Sequence, residues 1–285
     1  MGHTGNSRRY YQATMKDVTL VAIDFLWHDL TGYAIQRSLE QIDAKEVLII
    51  SDKEILKGAK HVMRPPVANM AEYANIMLKG VAEHVNTKHA LFVQWDGIAN
   101  DKAQWTDEFL DYDYIGAVWP WRQEGQNVGN GGFSLRSKKL LDECMHDSVQ
   151  LTEEEPIAED NIIGIHKRTY LESKGIKFAP TKLARQFSFE TGLHESSFGF
   201  HGLWNVFNLM DDAAIEYFLP RINYAGWNEH KWVHVLAALF RKENKDQFHA
   251  VFDKLIKNSP QLMQQVLTRL DQSVENNKQH GLIIL

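Results

Sequence analysis

Val18 to Asp24 reads V-T-L-V-A-I-D, and Glu46 to Ser51 reads E-V-L-I-I-S. Each is a short apolar run that ends on a polar residue, the pattern of a strand buried on both faces. Between them, Thr31 to Gln41 carries Ile35 and Leu39 at helical spacing. Strand, helix and strand in this order make a βαβ unit, which demands a parallel sheet with helices on its faces. The expected fold is therefore α/β, with a mixed, mainly parallel sheet flanked by helices.

Outward from this unit the pattern repeats. His89 to Trp95 (H-A-L-F-V-Q-W) is a predicted buried strand ending at Asp96-Gly97, and Tyr112 to Val118 is a fourth. Pro65-Pro66 breaks the chain before a predicted helix over Met70 to His84, with Tyr73, Met77, Leu78 and Val81 on one stripe. Ligands of open α/β sheets gather outside the carboxyl ends of the strands. Asp24, Ser51, Asp52 and Asp96 are thus expected to face one crevice. Further on come a helix from Lys138 to His146, an acidic loop at Glu153-Glu154-Glu155-Pro156, a helix opened by Glu159-Asp160-Asn161, and a short strand at Ile176 to Ala179. Beyond Trp204 glycine thins out. Helical spacing takes over in Lys231 to Phe240, Lys245 to Ile256 and Gln261 to Val274. The expected division is a flexible leader over 1–17, an α/β domain over 18–205 and a helical region over 206–285.

Composition narrows the function. The chain has 285 residues, 44% of them hydrophobic, enough for a sizeable core. A net charge of -6 disfavours nucleic acid and anionic membrane as general partners. The single cysteine excludes an internal disulfide and fits a reducing compartment. No apolar run reaches the roughly 18–20 residues of a spanning helix. A cytoplasmic location is expected, with peripheral membrane contact left open. There is no Walker loop, no G-x-G-x-x-G after the first strand, no G-x-S-x-G elbow and no cysteine cluster for zinc.

Several residues could carry chemistry. Val128 to Ser137 (V-G-N-G-G-F-S-L-R-S) crowds three glycines and an aromatic ahead of a basic helix start. Glycine serves where backbone must approach a neighbour or a ligand closely, so the run suits either a packing turn or a pocket wall. Asp96 is a carboxylate at a strand end, of the oxygen type that hard divalent cations take, or a simple turn cap. Glu159 and Asp160 suit a helix cap or a general base. His201, inside F-G-F-H-G, suits a metal ligand or a buried core histidine.

The order of these features resembles metal-dependent glycosyltransferases of the GT-A fold. More closely, Q-W-D-G, F-L-D-Y-D-Y-I-G-A-V-W-P, V-G-N-G-G-F-S-L-R-S, E-D-N, F-S-F-E and F-G-F-H-G-L-W-N resemble an uncharacterised bacterial and fungal family of GT-A-like glycosyltransferase domains. The match runs from about Val18 to Asn205 and is densest from Leu91 onward. It implies transfer of a sugar from a nucleotide-sugar donor to a hydroxyl of a glycan or glycoconjugate acceptor, with inversion if Asp160 is the base and retention as the alternative. It implies a divalent cation, Mn²⁺ or Mg²⁺, held by Asp96 with His201. Asp24, Asp52 and Trp95 would hold the donor. Gly131, Gly132 and Phe133 would form a wall between donor sugar and acceptor, with Phe133 as an aromatic face. Asp160, with Glu159, would be the base, and Arg136 and Lys138 would meet the diphosphate or solvent. The sequence departs from the Asp-x-Asp common in that fold, because Gly97 and Ile98 follow Asp96. A silent sugar-binding module and a nucleotidyltransferase are the other readings compatible with the residues.

Overall fold

The structure is a computed structural model. It describes residues 17–150, 158–191, 196–222, 229–241 and 245–279. Nearly all of the expected leader and the Glu153–Pro156 loop lie outside these residues. The chain divides into two compact units between Phe200 and His201.

The first unit is built on a six-stranded sheet of β1 (Val18–Asp24), β2 (Glu46–Ser51), β3 (Lys60–Met63), β4 (His89–Val93), β6 (Tyr114–Ile115) and β7 (Phe133–Ser137), in the order β3-β2-β1-β4-β7-β6. β1 runs parallel to β2 and β4, and β2 to β3, while β7 is antiparallel to both β4 and β6. The architecture is thus α/β with a mixed, mainly parallel sheet.

Alternation along each strand sends side chains to opposite faces. Leu20, Ala22, Ile49, Leu91 and Val93 pack on one side with Ile35 of α1 (His28–Gln41). Val21, Ile23, Leu48, Ile50, Ala90 and Phe92 pack on the other with Ile76 and Met77 of α2 (Met70–Lys79). Helices therefore cover both faces, which explains why the strands read as continuous apolar runs.

α2 begins with Asn69, whose side chain accepts from the Glu72 amide. It stops at Gly80, short of the expected His84; Ala82–His84 continue as a 3₁₀ turn. The strand expected over His89–Trp95 ends at Val93, because Gln94 to Gly97 form a tight turn closed by the Gly97 amide on the Gln94 carbonyl at 3.0 Å. That turn leads into β5 (Gly97–Ala99), part of a small sheet with β8 (Ser188–Phe189) and β9 (Gly199–His201). Only Tyr114–Ile115 of the expected fourth strand is regular; Val118 bridges Val128 instead. α3 (Lys138–Cys144) follows β7 directly, capped by Ser137. α4 (Glu159–Asn161) runs into a π-helical turn over Ile162–His166, followed by α5 (Arg168–Ser173) and α6 (Thr181–Phe187).

The second unit is helical: α7 (Leu203–Leu209), α8 (Asp212–Phe218), α9 (Glu229–Arg241), α10 (Lys245–Asn258) and α11 (Pro260–Gln279). Trp232, Val235, Leu236 and Leu239 of α9 are buried, as are Val251 and Leu255 of α10 and Met263 and Val266 of α11. These are the apolar stripes of amphipathic helices. No helix among the described residues is long and apolar enough to cross a membrane.

Candidate functional site

Strand register sets up the site. Ala22 pairs with Val93, so Asp24 and Trp95 come level two residues further on. Val93 also pairs with Phe133 in the antiparallel sense, which brings the glycines before Phe133 beside the turn after Val93. A Cβ placed on Gly97 would lie 2.2 Å from the Gly132 carbonyl oxygen. Only a residue without a side chain allows that approach. The carboxyl ends of β1 and β4 thus meet the glycine run at one edge of the sheet.

At this edge lies a cavity of about 400 Å³ bordered by Asp24, Trp27, Met70, Tyr73, Gln94 and Trp95. Trp27 and Trp95 stack with centroids 5.1 Å apart and an interplanar angle of 30°. The Asp24 Oδ1 accepts from the amides of Leu26 and Trp27, at 3.1 and 2.9 Å. Its Oδ2 is buried, with the Thr31 hydroxyl beside it. Burial raises the pKa of Asp24 above the usual carboxylate value, against the two amides and the charge of His28. The Tyr73 hydroxyl donates to the Ile23 carbonyl at 3.1 Å and accepts from Gln94 Nε2 at 3.0 Å, tying β1, β4 and α2 together. Its ionisation is pushed far up, first by burial and then by the charges of Glu159, Asp24 and Asp96.

The glycine run carries the second part of the site. The Gly131 amide donates to Asp160 Oδ2 at 3.0 Å, and the Asn161 amide to Asp160 Oδ1 at 2.7 Å. A Cβ on Gly131 would sit 1.9 Å from Glu159 Oε1, so any side chain there would displace the Glu159 carboxylate. Glu159 is buried and holds Arg136 Nη2 at 2.7 Å. Arg136 is buried too, over the Phe92 ring at 4.1 Å, with Nε donating to Ser134 Oγ. Asp160 is half-buried. Loss of solvent, with the adjacent Glu159 charge adding to it, pushes its pKa up to about 6. A carboxylate with that pKa is well placed to accept a proton near neutral pH.

Several expectations need correction. Phe133 is fully buried, stacked on Phe187 at 5.3 Å and against Phe198, so it belongs to the aromatic core and offers no face to a sugar. Its place as the first residue of β7 sends it into that core. Gly131 and Gly132 are likewise buried, and serve close packing against Glu159 and Gly97. Arg136 is neither a diphosphate contact nor solvated, because Glu159 and Phe92 enclose it. Lys138 pairs with Asp142 one turn along α3. Asp52 lies outside the cavity lining and is bonded to His28 Nε2 at 2.7 Å, which lowers its pKa.

Asp96 occupies the half-buried turn after β4. His201 ends β9 and opens the second unit, where its carbonyl accepts from Asn205 Nδ2 at 2.7 Å. Among the described residues no group of three or more His, Cys, Asp or Glu side chains could hold a metal ion. Mg²⁺ and Mn²⁺ sites often take one or two carboxylates together with substrate phosphates, and Asp96 is the carboxylate of this turn. Tyr73 and His28 complete the surroundings and carry no sequence signal of their own. Tyr73 reads as one more stripe residue, and a histidine paired across 24 positions leaves no local pattern.

Residues 60–201 match the family described as "Protein of unknown function (DUF5672)". No curated protein matches the chain. Among solved structures, it resembles glucosyl-3-phosphoglycerate synthase from Mycobacterium tuberculosis, a complex with Mn²⁺, UDP and phosphoglyceric acid. That match has 12% identity and a TM-score of 0.31 over 43% of this chain and 56% of that one. It also resembles the mannosyltransferase PcManGT of Pyrobaculum calidifontis, in complex with GDP-Man and Mn²⁺, at 11% identity and a TM-score of 0.40, over 91% and 75%. The apo glycosyltransferase GlyE of Streptococcus pneumoniae is similar at 11% identity and a TM-score of 0.44, over 80% and 64%. The chain spans little more than half the length of the first of these.

Proposed function

We propose that this protein is a glycosyltransferase that moves a sugar from a nucleotide-sugar donor to an acceptor hydroxyl, in the synthesis of a polysaccharide or glycoconjugate. The observation that carries the reading is the juxtaposition at one sheet edge of an aromatic cavity bordered by the Asp24 carboxylate and a second carboxylate, Asp160, poised near neutral pH. The cavity suits a nucleotide base. Trp27 and Trp95 supply stacking surface, and Asp24 borders the same space. Base–aromatic stacking contributes about 1–3 kcal/mol per base.

Asp160 is assigned the base. Its two oxygens are aimed by the Gly131 and Asn161 amides, and it takes the acceptor proton as the hydroxyl oxygen attacks the anomeric carbon. The nucleoside diphosphate departs from the opposite face, so the product is inverted. Glu159 is assigned a positioning role, since its carboxylate is committed to Arg136. No step is routed through a cation.

The test is a thermal-shift screen of nucleotide sugars followed by detection of sugar transfer. A donor at about 100 times its Kd should raise the stability by about 2.7 kcal/mol. Failure of every nucleotide and nucleotide sugar to bind would remove the reading.

A further inference from the structure

A second, smaller cavity of about 130 Å³ lies in the first unit, away from the Trp27–Trp95 lining, bordered by Arg122, Gln126, Gly164, Arg168, Thr169 and Glu172. Arg168 is only 8% exposed. Its guanidinium is fixed over the Phe178 ring at 4.1 Å, and its Nε donates to Glu172 Oε1 at 2.9 Å. Its Nη1 is buried with no hydrogen-bond partner. A buried charged donor left unmatched is costly. The exposed Arg122 borders the same space, and Glu172 offsets only one of the two positive charges. Gly164 lies one helical turn beyond Asp160 in the same α4–π-helical segment.

We propose that this cavity is an oxyanion subsite, taking the phosphate or carboxylate group of an anionic acceptor whose hydroxyl then reaches Asp160. Two guanidiniums suit a tetrahedral or planar oxyanion because their N–H groups match its oxygens in pairs. The volume excludes a nucleotide, whose site is the larger cavity. The assignment to the acceptor rests on the glycosyltransferase reading; the binding of an oxyanion does not.

The experiment is calorimetric titration of the full chain with inorganic phosphate and with glucose 6-phosphate, using glucose as the neutral control. Both phosphates are expected to bind and glucose not to. Arg122→Ala, an exposed change that leaves the core intact, should weaken phosphate binding about tenfold, the scale of one charge-assisted hydrogen bond. Arg168→Lys should do the same. Asp24→Asn, in the other cavity, should leave phosphate affinity unchanged, and Arg122→Ala should leave nucleotide affinity unchanged. Tighter binding of glucose 6-phosphate than of phosphate supports the acceptor assignment, and binding of phosphate alone overturns it. Phosphate affinity that is equal in wild type and Arg122→Ala overturns the subsite. Loss of all nucleotide binding with phosphate binding intact would instead remove the glycosyltransferase reading and leave the subsite standing.

Discussion

Asp24 and Asp160 are both carboxylates whose pKa is raised by burial at the same sheet edge, yet their surroundings differ in kind. Asp24 ends a strand and spends one oxygen on the amides of the following turn; its other oxygen is buried beside the Thr31 hydroxyl, and the residue borders an aromatic cavity. Asp160 has an amide on each oxygen, and its pKa is lifted further by Glu159, which is itself locked to Arg136. The first arrangement places a carboxylate at the border of a cavity that can take a ligand. The second fixes a carboxylate in position and sets the pH at which it takes a proton. Binding and proton transfer are thus assigned to two carboxylates a few residues from the same pair of strand ends.

The contrast breaks most severely at Glu159. Glu159→Ala leaves Arg136 charged, buried and unpaired, which should cost about 3–5 kcal/mol in denaturant unfolding. Glu159→Gln keeps the shape and removes the charge that raises Asp160, so the Asp160 pKa should fall. A loss below about 1 kcal/mol for Glu159→Ala would show that the pair does not hold the glycine run in place.

A smaller effect is expected on the binding side. Trp95→Ala removes one of the two stacked rings and should weaken nucleotide binding by about 1–3 kcal/mol, with the unfolding midpoint little changed. Equal affinity in the variant would move the base out of this cavity. The smallest effect belongs to Tyr73→Phe. It deletes the bond to the Ile23 carbonyl and the acceptor of Gln94, for an expected loss of about 0.5–1.5 kcal/mol of stability. Native-like stability would mean that the phenol is dispensable to the join between β1, β4 and α2.

The sheet was legible because strands buried on both faces read as plain apolar runs. Val18–Asp24 and Glu46–Ser51 match their expected bounds residue for residue. β7 was not legible. Its glycine-rich approach looks like a turn, and Ser134 and Arg136 look like surface residues. Arg136 is buried only because Glu159, 23 residues away, supplies its counter-charge. Phe133 was misassigned for the related reason that an aromatic beside glycines suggests a pocket, while antiparallel pairing with β4 turns it into the core. β3 escaped notice because Lys60–Met63 is an edge strand with no fully buried residue. The sequence placed Asp160 among the candidate bases, but its raised pKa needs the Gly131 approach and the Glu159 charge, which arise only on folding.

The decisive measurement is the pH dependence of kcat/KM for sugar transfer by wild type and Asp160→Asn, with donor affinity measured alongside. The base must be ionised to accept a proton, so wild-type kcat/KM should fall about tenfold per pH unit below about 6 and level off above it. Asp160→Asn should bind the donor normally and lose transfer at least about 100-fold, with no inflection near pH 6. Near-normal transfer by Asp160→Asn, or an unchanged inflection in that variant, would contradict the assignment of the base.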